Sequence, residues 1–125
     1  MIDVSVENRS GEEVDADGAI ALVRRVLAAE GVDAGELGLV FVGADESRAL
    51  KREHLGIDEA TDVLSFPIDG RDDLPAGLPR ALGDVVLCPQ VVGDDWRAPL
   101  THGLLHLLGY DHGAAMERRE RELLS

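Results

Sequence analysis

The sequence predicts an α+β fold: a single domain in which a mixed, roughly four-stranded sheet is packed by helices, with a metal site on a C-terminal helix and the turn after it. Three observations lead there. Short apolar stretches with strand character interleave with stretches of helical periodicity. No internal repeat or linker divides residues 1–125. Three of the four histidines fall within the eleven residues from His102 to His112.

The elements follow in order. Ile2 to Asn8 alternates, with Ile2, Val4 and Val6 on one face, as a half-buried strand does, and Gly11 ends it. From Asp17 to Glu30, Ile20, Val23, Val26 and Leu27 recur at helical spacing; Asp17 is the expected N-terminal cap and Gly31 the left-handed stop. Leu37 to Val42 is a nearly continuous apolar run, the pattern of a central strand covered on both faces. Asp45 opens a second helix that runs to about Leu55 and stops at Gly56. Thr61 to Phe66 and Leu82 to Cys88 are two further strands, separated by a loop rich in Gly, Pro and Asp from Asp69 to Pro79. A third helix is expected from Leu100 to Leu108, closed by Gly109, and a fourth from Ala114 to Leu124.

Composition narrows the class. With 125 residues, 45 % apolar and 30 % charged, the chain can bury a core of its own and is no disordered tail. No apolar run approaches the ~20 residues of a membrane span, and MIDVSVENRS does not read as a secretory leader, so a cytoplasmic location is expected with no membrane partner. The lone Cys88 cannot pair within the chain; at a strand end it reads as a small buried hydrophobe. Twenty-five acids against twelve bases give a net charge of −13, which disfavours coating of RNA or DNA through phosphates. A local cationic patch or a metal ion in one cleft is compatible with it, because distant exposed charges are screened.

The chemistry concentrates in HGLLHLLGYDH. On a helix His102 and His106 lie one turn apart on one face; Gly109 breaks the helix, and the short return through Tyr110 and Asp111 can bring His112 to the same ion. Three imidazoles with a place left for water is the pattern of catalytic zinc, although other transition metals accept the same ligands. One zinc per chain is the expected cofactor. The related zinc-protease helix H-E-x-x-H carries a Glu base beside its first His; here Gly103 stands in that place, which argues for a metal hydrolase and against a metalloprotease. Asp111, the one acid inside the motif, either accepts a proton from water or orients a ligand His, the second being the commoner use.

The run HGLLHLLGYDH, preceded by TDVLSFP at Thr61 to Pro67 and LGD at Leu82 to Asp84, resembles the YbeY family of bacterial ribosomal-RNA maturation endoribonucleases. The resemblance implies a mixed four-stranded sheet and zinc held by His102, His106 and His112. It also implies single-strand-directed cleavage of ribosomal RNA on the ribosome, in maturation of the small-subunit RNA 3′ end and in ribosome quality control. The chain departs from the family pattern in three places. Where the family reads L-N-x-x-Y-R, with an Arg assigned to the cleft, this chain reads LKREHL, so Leu55 takes the Arg place. Residues 89–101 have room for a turn or two instead of a full helix, and the C-terminal helix is short.

Arg48, Lys51 and Arg52 form a basic stripe at i, i+3 and i+4 of the second helix. One reading pairs them with Asp45, Glu46 and Glu53 as a solvated face. The other makes Arg52 the catalytic phosphate contact in place of the absent Arg, because its fork suits phosphate, with Lys51 and Arg48 binding substrate beside it. Thr61 and Ser65 either satisfy backbone groups or line the cleft; Val63 and Phe66 read as core, Asp62 and Asp84 as cleft carboxylates or turn caps, and His54 as a surface helix residue. Two other functions use the same histidines. A hydrolase of a small ester or amide would need a closed apolar pocket, and a ribosome-assembly module with structural zinc would need a fourth protein ligand. DNA is not expected as a partner.

Overall fold

The computed structural model describes residues 2–125. Four strands, β1 (Ile2–Asn8), β2 (Gly35–Phe41), β3 (Val63–Pro67) and β4 (Ala81–Leu87), form one sheet in the order β1-β2-β4-β3. β1, β2 and β4 are parallel and β3 is antiparallel to β4, so the sheet is mixed as expected and β3 is an edge. The helices are α1 (Ala16–Ala29), α2 (Ala44–Leu55), α3 (Pro89–Val92), α4 (Arg97–Leu107) and α5 (Ala114–Leu124).

Local chemistry moves several boundaries. The cap of α1 is Asp15, whose Oδ1 accepts from the Gly18 N–H at 2.9 Å, and the expected cap Asp17 sits inside the first turn, where its charge favours the helix N-terminus. Gly31 ends α1 as expected: its N–H reaches the Ala28 carbonyl and the Val32 N–H reaches Leu27, a Schellman closure. α2 starts from Gly43, with Asp45 and Glu46 in its first turn. α4 begins three residues earlier than expected. Its Pro99 lies within the first turn, where a missing N–H costs nothing, and Leu100 makes the helical bond to the Trp96 carbonyl. Residues 89–101 hold the single turn α3 before that start.

The main core lies on one sheet face, where α1, α4 and α5 cover Leu37, Leu39, Leu82, Val85 and Leu87. A smaller cluster of Val42, Leu64 and Val86, with Leu50 and Phe66, lies against α2. β2 is central, but its second face is only half covered: Leu37, Leu39 and Phe41 are buried while Gly38 and Val40 are not. Cys88 is buried, as expected.

α4 is buried on most of its circumference because it packs on β3 and β4 and also touches α1 and α5. Leu100, Leu104, Leu105 and Leu107 are all in the core, each contributing roughly 1.5–3 kcal/mol by leaving water. Between Leu100 and Leu108 only His102 and His106 are not buried. The approach to the sheet is closest at Gly103, where an added Cβ would stand 2.9 Å from Val63 Cγ2 and 3.0 Å from Val85 Cγ1. Both are β-branched methyls with little freedom to move aside. Gly103→Ala should therefore lower stability by about 1–3 kcal/mol, overpacking outweighing the helix propensity gained. Chemical denaturation checks this, and a stabilised variant would show that the helix has room to shift.

Candidate metal centre

The end of α4 builds the site. Gly109, at φ 97°, lets the chain reverse: its N–H bonds the His106 carbonyl and the Tyr110 N–H bonds Leu105, a second Schellman closure. That closure leaves the Tyr110 carbonyl facing back, where it accepts from His106 Nδ1 at 2.9 Å. His102 Nδ1 donates to a carboxylate oxygen of Glu120 on α5. A carbonyl and a carboxylate can only accept, so each ring carries a proton on Nδ1, and in the neutral imidazole form this leaves a bare Nε2 facing inward. The two Nε2 atoms stand 3.0 Å apart. Two lone pairs that close call for a cation between them.

His112 completes the set from the turn after α4, its ring centroid 4.5 Å from that of His106 and 5.1 Å from that of His102. One nitrogen from each of the three rings lies within 4.8 Å of the others, and the three together can hold a metal ion. Neutral nitrogen donors of this kind fit zinc and other transition ions better than magnesium or calcium. Gly103 faces the sheet, so the protease Glu position has no access to this centre.

The histidines open onto a cleft that follows the edge strand β3, with α4 and the 109–112 turn on one side and Lys51, His54 and Leu55 of α2 on the other. Thr61 and Ser65 both line it, but only the Ser65 side chain satisfies a backbone group, the Thr61 hydroxyl donating to Asp62 Oδ1 at 3.3 Å. The Thr61 N–H and carbonyl are bound by the buried Ser47 hydroxyl at 3.0 and 2.9 Å, and Ser65 Oγ donates to the Gly103 carbonyl at 2.8 Å. Asp62 lines the cleft and also accepts from the Val63 N–H at 2.8 Å, whereas Asp84 lies outside the cleft. Val63 is half-buried against the main core and Phe66 against the smaller cluster. His54, read from sequence as a surface residue, is exposed but lines the cleft edge-on to Phe66, ring centroids 4.9 Å apart.

The basic stripe divides. Arg48 and Arg52 point away from the cleft and share Asp58, at 2.7 and 3.5 Å. Lys51 lines the cleft, is only 15 % exposed, and pairs with Glu59 at 2.8 Å. The acids that pair with the stripe are thus Asp58 and Glu59, after the helix, and not Asp45, Glu46 and Glu53. Asp111 lines the cleft, exposed and without a hydrogen bond to any ring among the described residues. The carboxylate that holds one of these rings is instead Glu120, on His102. It was missed in the sequence, although it sits one turn after the buried Met116 and just before the buried Leu123, so a charge falls within the apolar stripe of α5.

Residues 5–125 match the family model described as endoribonuclease YbeY. The chain belongs to this family. A relative from Salinispora tropica bearing that name is 36 % identical over 94 % of this chain and 87 % of its own length. One from Halorhodospira halophila is 44 % identical over 73 % of this chain and 70 % of its own. The solution structure of TM1509 from Thermotoga maritima covers 99 % of this chain and 87 % of its own with a TM-score of 0.58 at 22 % identity, which shows the shared fold.

Burial holds the His106 imidazole below its ordinary value near 6.5, helped by the neighbouring His102 and His112 rings and opposed by the Tyr110 carbonyl and the Asp111 charge. The folded chain therefore binds this proton less readily than the unfolded chain does. Its contribution to stability is complete above the unfolded pKa near 6.5 and shrinks as pH falls below it. Denaturation of metal-free protein from about pH 8 to about pH 5 should show a midpoint that is level at first and then declines. A midpoint that rose on acidification would contradict the assignment.

Proposed function

We propose that the chain is a zinc-dependent endoribonuclease that cleaves single-stranded RNA, acting in the cytoplasm on ribosomal RNA at the small-subunit 3′ end and in ribosome quality control. The observation that carries this is three convergent imidazoles, two with their tautomers fixed by outer contacts, at one end of a cleft in a chain of an endoribonuclease family. A zinc ion bound there would supply Lewis-acid polarisation of a phosphoryl oxygen and activation of water. No helix among the described residues is long and apolar enough to cross a membrane.

The chain's own residues divide the remaining work. His102, His106 and His112 hold the ion, with Glu120 and the Tyr110 carbonyl fixing two of the rings. Asp111 is left free to take a proton at its carboxylate, since the ring contacts that could have occupied it are made by others. Lys51 contacts the phosphate, one turn from Leu55, and takes over the part that the sequence assigned first to Arg52. Thr61 and Ser65 form the cleft floor along β3, and His54 and Leu55 its apolar far wall. A structural-zinc module needs a fourth protein ligand, and among the described residues no fourth His, Cys, Asp or Glu joins the three histidines in their cluster.

Purified protein incubated with ribosomal RNA should cleave it, lose that activity to a chelator and regain it with zinc. Lys51→Ala should cut the rate about tenfold, the loss of one charge-assisted phosphate contact, and flatten its salt dependence. Arg48→Ala and Arg52→Ala should change little, and Leu55→Arg should raise cleavage. Intact RNA in the presence of zinc-loaded protein would refute the activity, whereas cleavage reduced by Arg52→Ala and not by Lys51→Ala would return the phosphate contact to Arg52.

A further inference from the structure

Glu30 caps the C-terminal end of α1, lines no part of the cleft, and has no role in the chemistry above. Its side chain is only 4 % exposed and carries a dense set of partners. Arg119 Nε reaches one carboxylate oxygen at 2.6 Å and Arg71 Nη2 the other at 2.8 Å. Arg119 Nη2 also holds the Ala29 carbonyl at 3.1 Å, and Arg71 holds the carbonyl of Glu30 itself. The Tyr110 hydroxyl stands near enough to the same carboxylate for each to shift the other's ionisation. Burial works against the charge, but the contacts from Arg119 and Tyr110 outweigh it and keep the Glu30 carboxyl below its ordinary value.

Two of these partners lead directly into the metal centre. Tyr110 is the residue whose carbonyl receives the His106 Nδ1 proton. Arg119 immediately precedes Glu120, which receives the His102 Nδ1 proton. Neighbouring helix residues project about 100° apart, so pinning Arg119 to α1 sets the rotation of α5 and with it the direction of Glu120. One buried carboxylate thus backs both outer contacts of the two α4 ligands, from a helix more than seventy positions away in the chain. Arg25 on α1 provides a contrast. Its guanidinium tethers the far end of α5 through the Leu123 carbonyl at 3.2 Å and touches neither outer contact.

We infer that Glu30 is a positioning residue of the metal centre, aiming His106 through Tyr110 and His102 through Arg119 and Glu120. The inference rests on the reading that the three histidines hold a metal. Residues that orient metal ligands typically change affinity 10–100-fold when removed, and Glu30, acting at one remove, belongs at the lower end of that range.

The test measures zinc affinity by competition with a chromophoric chelator, and the visible absorption of the cobalt-substituted protein, for Glu30→Gln, Tyr110→Phe, Arg25→Gln and His106→Ala. Glu30→Gln and Tyr110→Phe should each bind zinc about tenfold more weakly and shift the cobalt bands. Arg25→Gln should melt earlier yet keep parental affinity and spectrum. Parental affinity and spectrum in both Glu30→Gln and Tyr110→Phe would overturn the inference, as would equal weakening by Arg25→Gln, which would assign the effect to helix docking in general. If Glu30→Gln fails to fold, Tyr110→Phe decides, because it removes one hydroxyl and leaves the backbone carbonyl in place. His106→Ala separates the two layers: undiminished zinc binding there would remove the metal centre itself.

Discussion

Helix α4 lies so close to β3 and β4 that position 103 has no space for a side chain, and the metal centre depends on that contact. Pressed onto the sheet, and touching α1 and α5 as well, the helix keeps only His102 and His106 out of the core over its second half. The same contact brings Ser65 to the Gly103 carbonyl and so aligns the edge strand with the ligand-bearing helix. The cleft is the space this arrangement leaves along β3. A Glu beside the first histidine, as in the zinc proteases, cannot be accommodated against Val63 and Val85, so the chemistry must draw its proton acceptor from elsewhere. On the proposed function Asp111, which lines the cleft, provides it.

Electrostatics explain how so acidic a chain can face a polyanion. Of the twelve basic residues, Lys51 alone lines the cleft, where it pairs with Glu59; Arg9, Arg48, Arg52, Arg71 and Arg119 are paired with carboxylates elsewhere. On the proposed function the positive charge that offsets phosphate is local, from one half-buried lysine and the ion that the imidazoles can hold. Such an arrangement favours a phosphate placed at the histidines over phosphates spread along the surface, where the net charge of −13 repels them.

Much of this was legible in the sequence, for specific physical reasons. The i, i+4 histidines, the helix-ending Gly109 and the return to His112 are local features, and local geometry alone brings them together. Strand and helix periodicity gave four strands and the four longer helices in order, with ends off by one to three residues where a cap such as Asp15 or a first-turn Pro99 decided the boundary. What sequence could not rank were contacts between distant elements. Glu120 reaches His102 only because α5 folds back on α4. The choice between Lys51 and Arg52 turns on how α2 sits over β3 and on two acids, Asp58 and Glu59, that lie beyond the helix. Glu30 gives no local sign of a role, because both its routes to the histidines cross between helices.

The central claim is that three histidines, with Nε2 of His102 and His106 turned inward, bind one catalytic metal and leave part of its coordination open. X-ray absorption at the zinc edge of the reconstituted protein tests it most directly. The account predicts one zinc per chain with three imidazole nitrogens at about 2.0–2.1 Å and a remaining place filled from solvent. A sulfur neighbour at about 2.3 Å, or a fourth protein ligand closing the shell, would contradict it.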